Sequence, residues 1–261
     1  MHHAHDEARL LFDQTVEHYQ QRSDAQVFNF SSLLFQRRIA IVQDLLRGLP
    51  ALARVLDYGM GPGVFAPYCV SQGWRYLGLD ISENMVARAR GLGLKNAEYA
   101  VGDLESLQGH RQQMDAVLAI GLIDYLDQPD AGISALAGCV KPGGALVLSF
   151  RNRSLPGLLR DAARRVWRTL FGIPAGRQRT AFLSNVHEHS FGFERDLKPL
   201  IARCGFSGFE VQYFNCSPLF FNFPLPGPLW KIWYGVDRLL ARSATQFFCS
   251  GGVLVARKNL Q

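Results

Sequence analysis

The sequence predicts an α/β fold, a parallel sheet covered by helices on both faces, on three observations. Short apolar runs alternate with helical stretches from about residue 54 to Phe150. The runs are apolar throughout rather than at every second position, as in strands buried on both faces. The first run leads directly into a bare turn, VLDYGMGPG at residues 55–63, with Gly59, Gly61 and Gly63 at every second position.

Taken in order, residues 6–48 read as two or three helices. Leu33, Leu34, Ile39, Val42, Leu45 and Leu46 fall at helical spacing, and Pro50 ends the stretch. RVLDYG is a strand and GVFAPYCVSQG a helix. RYLGLD is a strand and SENMVARARGLG a helix, with Ser82 placed as its N-cap. AEYAVGD and MDAVLAIG are strands, PDAGISALAGCV is a helix, KPGG is a turn, and GALVLSF is a strand. After Phe150 the rhythm breaks into a long basic insertion. A helix, ERDLKPLIARCGF, and a strand, FEVQYFN, follow; an apolar excursion then leads to the last strand, QFFCSGGVLVARK.

The chain has 261 residues, 48% hydrophobic and 19% charged, enough to bury a full core in one large domain or two small ones. Five cysteines, Cys69, Cys139, Cys204, Cys216 and Cys249, are scattered and never form a C-x-x-C pair. That pattern predicts reduced thiols in a cytosolic compartment, not a disulfide framework or a zinc site. The N-terminal stretch lacks the apolar centre of a secretion signal, and no run reaches the ~18–20 apolar residues of a membrane span. His2, His3 and His5 read as a polar terminus rather than a metal site. The net charge of +6 is local: residues 151–180 hold eight arginines against Asp161, a net of +7, which leaves −1 for the rest.

A strand, a glycine turn and a helix bring backbone N–H groups and a helix N-terminus to one point, which suits a nucleotide or a nucleoside with a polar tail. Two patterns fit the loop. Gly61-x-Gly63-x-x-Ala66 matches a relaxed dinucleotide fingerprint. Asp57-x-Gly59-x-Gly61-x-Gly63 matches the acid-led loop of another class. Asp80, 17 residues past Gly63, ends the second strand where a carboxylate can take both ribose hydroxyls of either cofactor. Asp103 ends the third strand in VGDLES, placed to accept from an adenine amino group.

Residues 37–150 and 194–257 resemble the class I S-adenosylmethionine-dependent methyltransferases of small-molecule type. The resemblance rests on Asp57, Gly59, Gly61, Gly63, Asp80, Asp103 and the Lys141-Pro142-Gly143-Gly144 turn together. It implies a Rossmann-like, seven-stranded sheet whose last strand is antiparallel and inserted between strands five and six. It implies that Gly59, Gly61 and Gly63 face the methionine tail, Asp80 the ribose and Asp103 the adenine. Ile81 and Leu104 would flank the ring, and Gly121 would lie near the reactive methyl. Tyr19 falls where N-terminal helices of this family close over the cofactor. Tyr58 and Met60 depart from the small residue and cysteine usual in this loop.

Methyl transfer needs positioning and, for a hydroxyl acceptor, a base. Asp124 and Tyr125 follow the fourth strand, either beside the methyl or as a helix cap and a packing residue. His187 and His189 precede the sixth helix, and histidine titrates near physiological pH. The H-x-H pair lacks a third ligand, so no metal is expected. Two stretches read as basic amphipathic helices. Over 155–171, Leu155, Leu158, Leu159, Ala162, Val166 and Leu170 oppose Arg160, Arg164, Arg165 and Arg168, with Trp167. Over 228–242, Leu229, Trp230, Trp233, Val236 and Leu240 oppose Lys231, Arg238 and Arg242. Each is either a lid on the core or a contact with anionic membrane; no nucleic-acid partner is expected.

The expectation is a single domain, 1–261, with an N-terminal helical cap (1–50), a cofactor-binding half (51–150), a basic helical insertion (151–193) and a C-terminal half (194–261) holding an apolar insertion (215–245). Its function would be S-adenosylmethionine-dependent methylation, at oxygen, of a small or amphiphilic acceptor, in the cytoplasm and peripheral to the membrane. The alternatives are an NAD(P)-dependent oxidoreductase and a non-catalytic S-adenosylmethionine-binding protein.

Overall fold

The computed structural model describes residues 30–155, 189–216, 227–241 and 246–260, with scattered positions between 157 and 169. Seven strands form one sheet: β1 (Arg54–Tyr58), β2 (Arg75–Asp80), β3 (Ala97–Val101), β4 (Met114–Ala119), β5 (Val140–Arg151), β6 (Phe206–Phe214) and β7 (Gly251–Lys258). Their order is β3-β2-β1-β4-β5-β7-β6. The pairs from β3 across to β5 are parallel, and β7 lies antiparallel between β5 and β6. This is the sheet that the resemblance implies.

Alternation along each strand divides the core. Val55, Leu118, Ala145, Val147 and Val253 join one apolar cluster with α1 (Phe30–Leu46), α2 (Ala66–Ser71) and α3 (Glu83–Arg90). Leu56, Val117, Leu146, Leu148 and Leu254 join the other with α4 (Pro129–Cys139) and α5 (Lys198–Arg203). Both faces are covered, which is why the strands read as unbroken apolar runs. Ser82 caps α3 as its sequence predicts, its hydroxyl accepting from the Met85 N–H at 3.1 Å.

Three expectations are corrected. KPGG is not a turn before the fifth strand but a bulge within β5. Val140 already pairs with Met114, and the register shifts before Ala116 pairs with Ala145. The bulge lets the Lys141 ammonium reach the Asp115 carboxylate. The second correction concerns the thiols: Cys216 and Cys249 form a disulfide, whereas Cys69, Cys139 and Cys204 are free. Phe214 pairs with Gly251, and the antiparallel register continued beyond the strands sets residue 216 opposite 249. Thirty-three residues separate the two in sequence, so only the sheet reveals the pair.

The third correction concerns the second amphipathic stretch. α6 (Gly227–Leu240) is anchored through Asp237, buried, whose carboxylate accepts the Asn215 and Cys216 N–H groups. Leu229, placed by sequence on the apolar face, is exposed, and so are Ile232 and Leu239, which the sequence pattern did not put on that face. A helix apolar around most of its circumference leaves no unique buried face for the sequence pattern to indicate. Most of 155–171 lies outside the described residues. No helix among the described residues is long and apolar enough to cross a membrane.

Candidate active site

The glycine turn is pinned to β2 before it reaches the ligand edge. The Gly59 N–H donates to the Leu79 carbonyl at 2.8 Å. Gly61 then adopts φ +57°, and nothing stands within 4 Å of where a Cβ would be. Its backbone therefore faces open space, and a side chain there would fill the cradle. The Gly61 N–H donates to Asp80 Oδ2 at 2.8 Å, and the Ser82 N–H donates to Asp80 Oδ1 at 2.9 Å. One buried carboxylate thus fixes the loop and the start of α3 together.

Asp57 lies beneath. It is fully buried and accepts from the Tyr76 hydroxyl at 2.7 Å. Burial pushes its carboxyl up to about 7; the Tyr76 bond works against that shift and the nearby Asp80 adds to it. Asp103 sits in a turn after β3. Its Oδ1 accepts the Glu105 and Ser106 N–H groups and the Ser106 hydroxyl at 3.0–3.1 Å. Burial raises its carboxyl, but these bonds outweigh burial and hold it below the ordinary carboxylate range.

These groups open on a cavity of about 650 Å³, within the range of small-molecule and cofactor sites. Of the sequence-predicted residues, Asp57, Gly59, Gly61, Asp80, Ile81, Asp103, Leu104, Gly121, Asp124 and Tyr125 line it. Gly63 does not: a Cβ there would meet Leu92 and Ala89, so its bareness serves the packing of α3. Tyr19 and His187 lie outside the described residues. His189 is described but does not line the cavity. Its N–H donates to the Asp124 carbonyl at 2.7 Å, and its ring lies 6.2 Å from that of Phe191. Asp124 Oδ1 accepts the Arg151 N–H at 2.9 Å, so this acid also braces the loop after β4 against β5. The Gly121 N–H donates to the buried Ser149 hydroxyl at 2.6 Å, fixing the same loop from below.

Sequence reasoning missed the contribution of α1. Phe35, Arg38 and Ile39 line the cavity, and an Arg38 nitrogen would stand 2.9 Å from a Cβ on Gly121. Its guanidinium also lies 4.8 Å from the Phe35 ring centre. The available signal was a pair of charges, Arg37 and Arg38, inside an apolar helical run. The resulting electrostatics are one-sided. Asp57, Asp80, Asp103, Glu105, Asp124 and Asp127 line the cavity, with Arg38 the one cationic side chain among the described residues that line it.

A sheet of this order, with an antiparallel β7 and a glycine loop and two acids at the ends of its first three strands, is the fold of the class I methyltransferases. Residues 56–148 match the family model of the methyltransferase domain. A ubiquinone biosynthesis O-methyltransferase of Xanthomonas axonopodis pv. citri is 34% identical over 109 residues, 40% of this chain and 46% of that protein. A malonyl-[acyl-carrier protein] O-methyltransferase of Enterobacter lignolyticus is 31% identical over 162 residues, 61% of this chain and 57% of that protein. The chain therefore spans about half the length of the curated relatives it matches. In fold it is similar to the magnesium protoporphyrin IX methyltransferase of Synechocystis PCC 6803, solved with bound SAH. The TM-score is 0.64 at 20% identity, over 97% of this chain and 98% of that one.

Proposed function

We propose that this protein transfers a methyl group from S-adenosylmethionine to an oxygen of a small or amphiphilic acceptor, leaving S-adenosylhomocysteine. The carrying observation is the charge of the cavity: among the described residues that line it, Asp80, Asp103, Glu105, Asp124 and Asp127 face one arginine, Arg38, with the buried Asp57 beneath. A ligand with a sulfonium and an ammonium gains from such walls, and its single carboxylate has a partner in Arg38. A nicotinamide dinucleotide would set an anionic pyrophosphate among the acids, which disfavours the oxidoreductase alternative.

The open side of Gly61 takes the methionine tail, Asp80 the ribose hydroxyls and Asp103 the adenine amino group, with Ile81 and Leu104 on the ring. The sulfonium supplies a methyl carbon open to in-line displacement; the protein positions the acceptor oxygen beside Gly121 and removes its proton. For that proton the candidates are His187 and His189, the latter held by its backbone N–H on the Asp124 carbonyl, and Asp124 and Tyr125 in the wall itself. Oxygen is favoured as the acceptor atom because both sequence relatives named above are O-methyltransferases. The reaction would run in the cytoplasm.

Calorimetric titration tests the assignment. S-adenosylhomocysteine should bind and NADH should not; the reverse result overturns it. Transfer of labelled methyl to a phenol or carboxylic acid, compared with an amine, then tests the choice of oxygen.

A further inference from the structure

We propose that the edge of the sheet bearing the cavity docks on an anionic lipid surface, with the outward face of α6 as its apolar footing. The purpose of the docking rests on the methyltransferase reading above; the surface itself does not.

The argument begins with topology. β5 and β6 run parallel to β1, and β7 runs against them. The chain therefore leaves β5, leaves β6 and enters β7 at one edge, the edge of the glycine turn. The exposed large apolar side chains gather there. Leu155, Leu158, Leu159 and Val166 follow β5, Leu229, Ile232 and Leu239 lie on α6, and Phe247 and Phe248 precede β7. Among the described residues the other exposed large apolar side chains are Leu52, Leu92 and Leu260, which are dispersed, and Val101, which ends β3 at the same edge but on the far side of the sheet from β5. A soluble surface rarely concentrates such side chains without a partner.

α6 is held for this purpose. Asp237 fastens it to the end of β6, and Leu229, Ile232 and Leu239, at helical spacing, turn away from that anchor. Arg238 stands exposed beside them, and α6 has no acid besides the buried Asp237. By sequence, residues 152–180, after β5, add seven arginines against one acid. The exposed apolar side chains of α6, with Arg238 beside them and an arginine-rich stretch following β5 in sequence, match an anionic leaflet, where acyl chains take the first and headgroups the cations, while the acids of this edge line the cavity. A neutral leaflet would leave the cations without use, and an acidic protein would leave most of the apolar groups without use. An amphiphilic acceptor dissolved in that leaflet would meet the cavity at its own edge.

Flotation of the full chain with vesicles provides the test. Phosphatidylcholine vesicles containing phosphatidylglycerol should carry the protein at low salt, and phosphatidylcholine alone should bind it at least tenfold more weakly. Raising salt from ~0.01 to ~1 M shortens the Debye length from ~30 to ~3 Å and should release it. The double variant Ile232→Glu, Leu239→Glu changes only exposed positions. It should weaken vesicle binding by about a hundredfold or more with unaltered circular dichroism and S-adenosylhomocysteine affinity. A wild-type chain that stays with the buffer, or a double variant that floats like wild type, overturns the proposal. So does retention by an immobilised acidic carrier protein with no flotation. Flotation without any S-adenosylhomocysteine binding would retain the surface and overturn the reading of the cavity.

Discussion

Asp80 and Asp115 are equally buried, each 7% exposed, and stand at opposite ends of the same sheet. Asp115, near the start of β4, receives the Lys141 ammonium and the Arg54 N–H, the latter at 2.8 Å. Its charge is met by a side-chain cation. Asp80, at the end of β2, accepts the Gly61 and Ser82 N–H groups and lines the cavity. One acid ties two strands together at the edge away from the cavity; the other ties the glycine turn to the start of α3 at the cavity itself. Burial alone does not tell the two apart; their place in the sheet does.

The largest effect should come from Asp80→Ala. Two charge-assisted bonds to ribose, each worth ~1.5–3 kcal/mol, would be lost, and the Gly61 N–H would lose its partner. Affinity for S-adenosylhomocysteine should fall by two orders of magnitude or more. An unchanged dissociation constant by calorimetry would remove Asp80 from the ligand site and with it the contrast between the two acids.

Asp115→Ala should show the converse. A buried partner is removed, but Lys141 is half exposed and can return to water, so the cost is well below that of a fully buried pair. A loss of about 1–3 kcal/mol is expected, seen as a drop of several degrees in Tm. Cofactor affinity should not move, and a tenfold weakening would show that the far edge is coupled to the site.

The half of the fold that surrounds Asp80 was legible in the sequence because each local signal agreed with the next. Apolar runs, the bare turn, Ser82 before Glu83 and acids at strand ends all specify one arrangement. What escaped detection depends on distance in sequence. Arg38 reaches Gly121 from a helix 83 positions upstream, and no spacing rule joins them. KPGG has turn chemistry, yet it is a bulge because Lys141 has a partner in Asp115. Cys216 meets Cys249 only through the β6–β7 register, and the outward side of α6 is set by Asp237, the single acid of that helix.

Asp57 sharpens the comparison with a third acid, buried but met neither by a cation nor by several N–H groups. Its carboxyl is raised to about 7, chiefly by burial. The folded state therefore binds a proton that the unfolded chain, with an ordinary Asp near 3.9, has released. Stability from this group is present below about pH 4 and is lost as pH rises toward 7. Asp57→Asn keeps an acceptor for Tyr76 and removes the charge. The variant should exceed wild type in stability at pH 8, by about 1–3 kcal/mol, and the gap should close near pH 4. A gap independent of pH in thermal melts would show that Asp57 is not protonated in the fold.

The smallest effect should come from Asp103→Ala. This acid lies at the same edge as Asp80 but is more exposed, and its Oδ1 is already used by Glu105 and Ser106. On the proposed reading its contribution to the ligand would be a single bond from the adenine amino group, and water would compete for that bond. Loss of one such bond is worth ~0.5–1.5 kcal/mol, so S-adenosylhomocysteine affinity should fall roughly two- to tenfold. The turn after β3 should loosen at the same time, since three donors lose their acceptor. Ser106→Ala separates the two causes: it removes one donor of the turn and leaves the carboxylate in place. If Ser106→Ala weakens binding as much as Asp103→Ala does, the acid acts by shaping the turn. If only Asp103→Ala weakens it, Asp103 acts on the ligand as Asp80 does, with the smaller effect that its wetter position predicts.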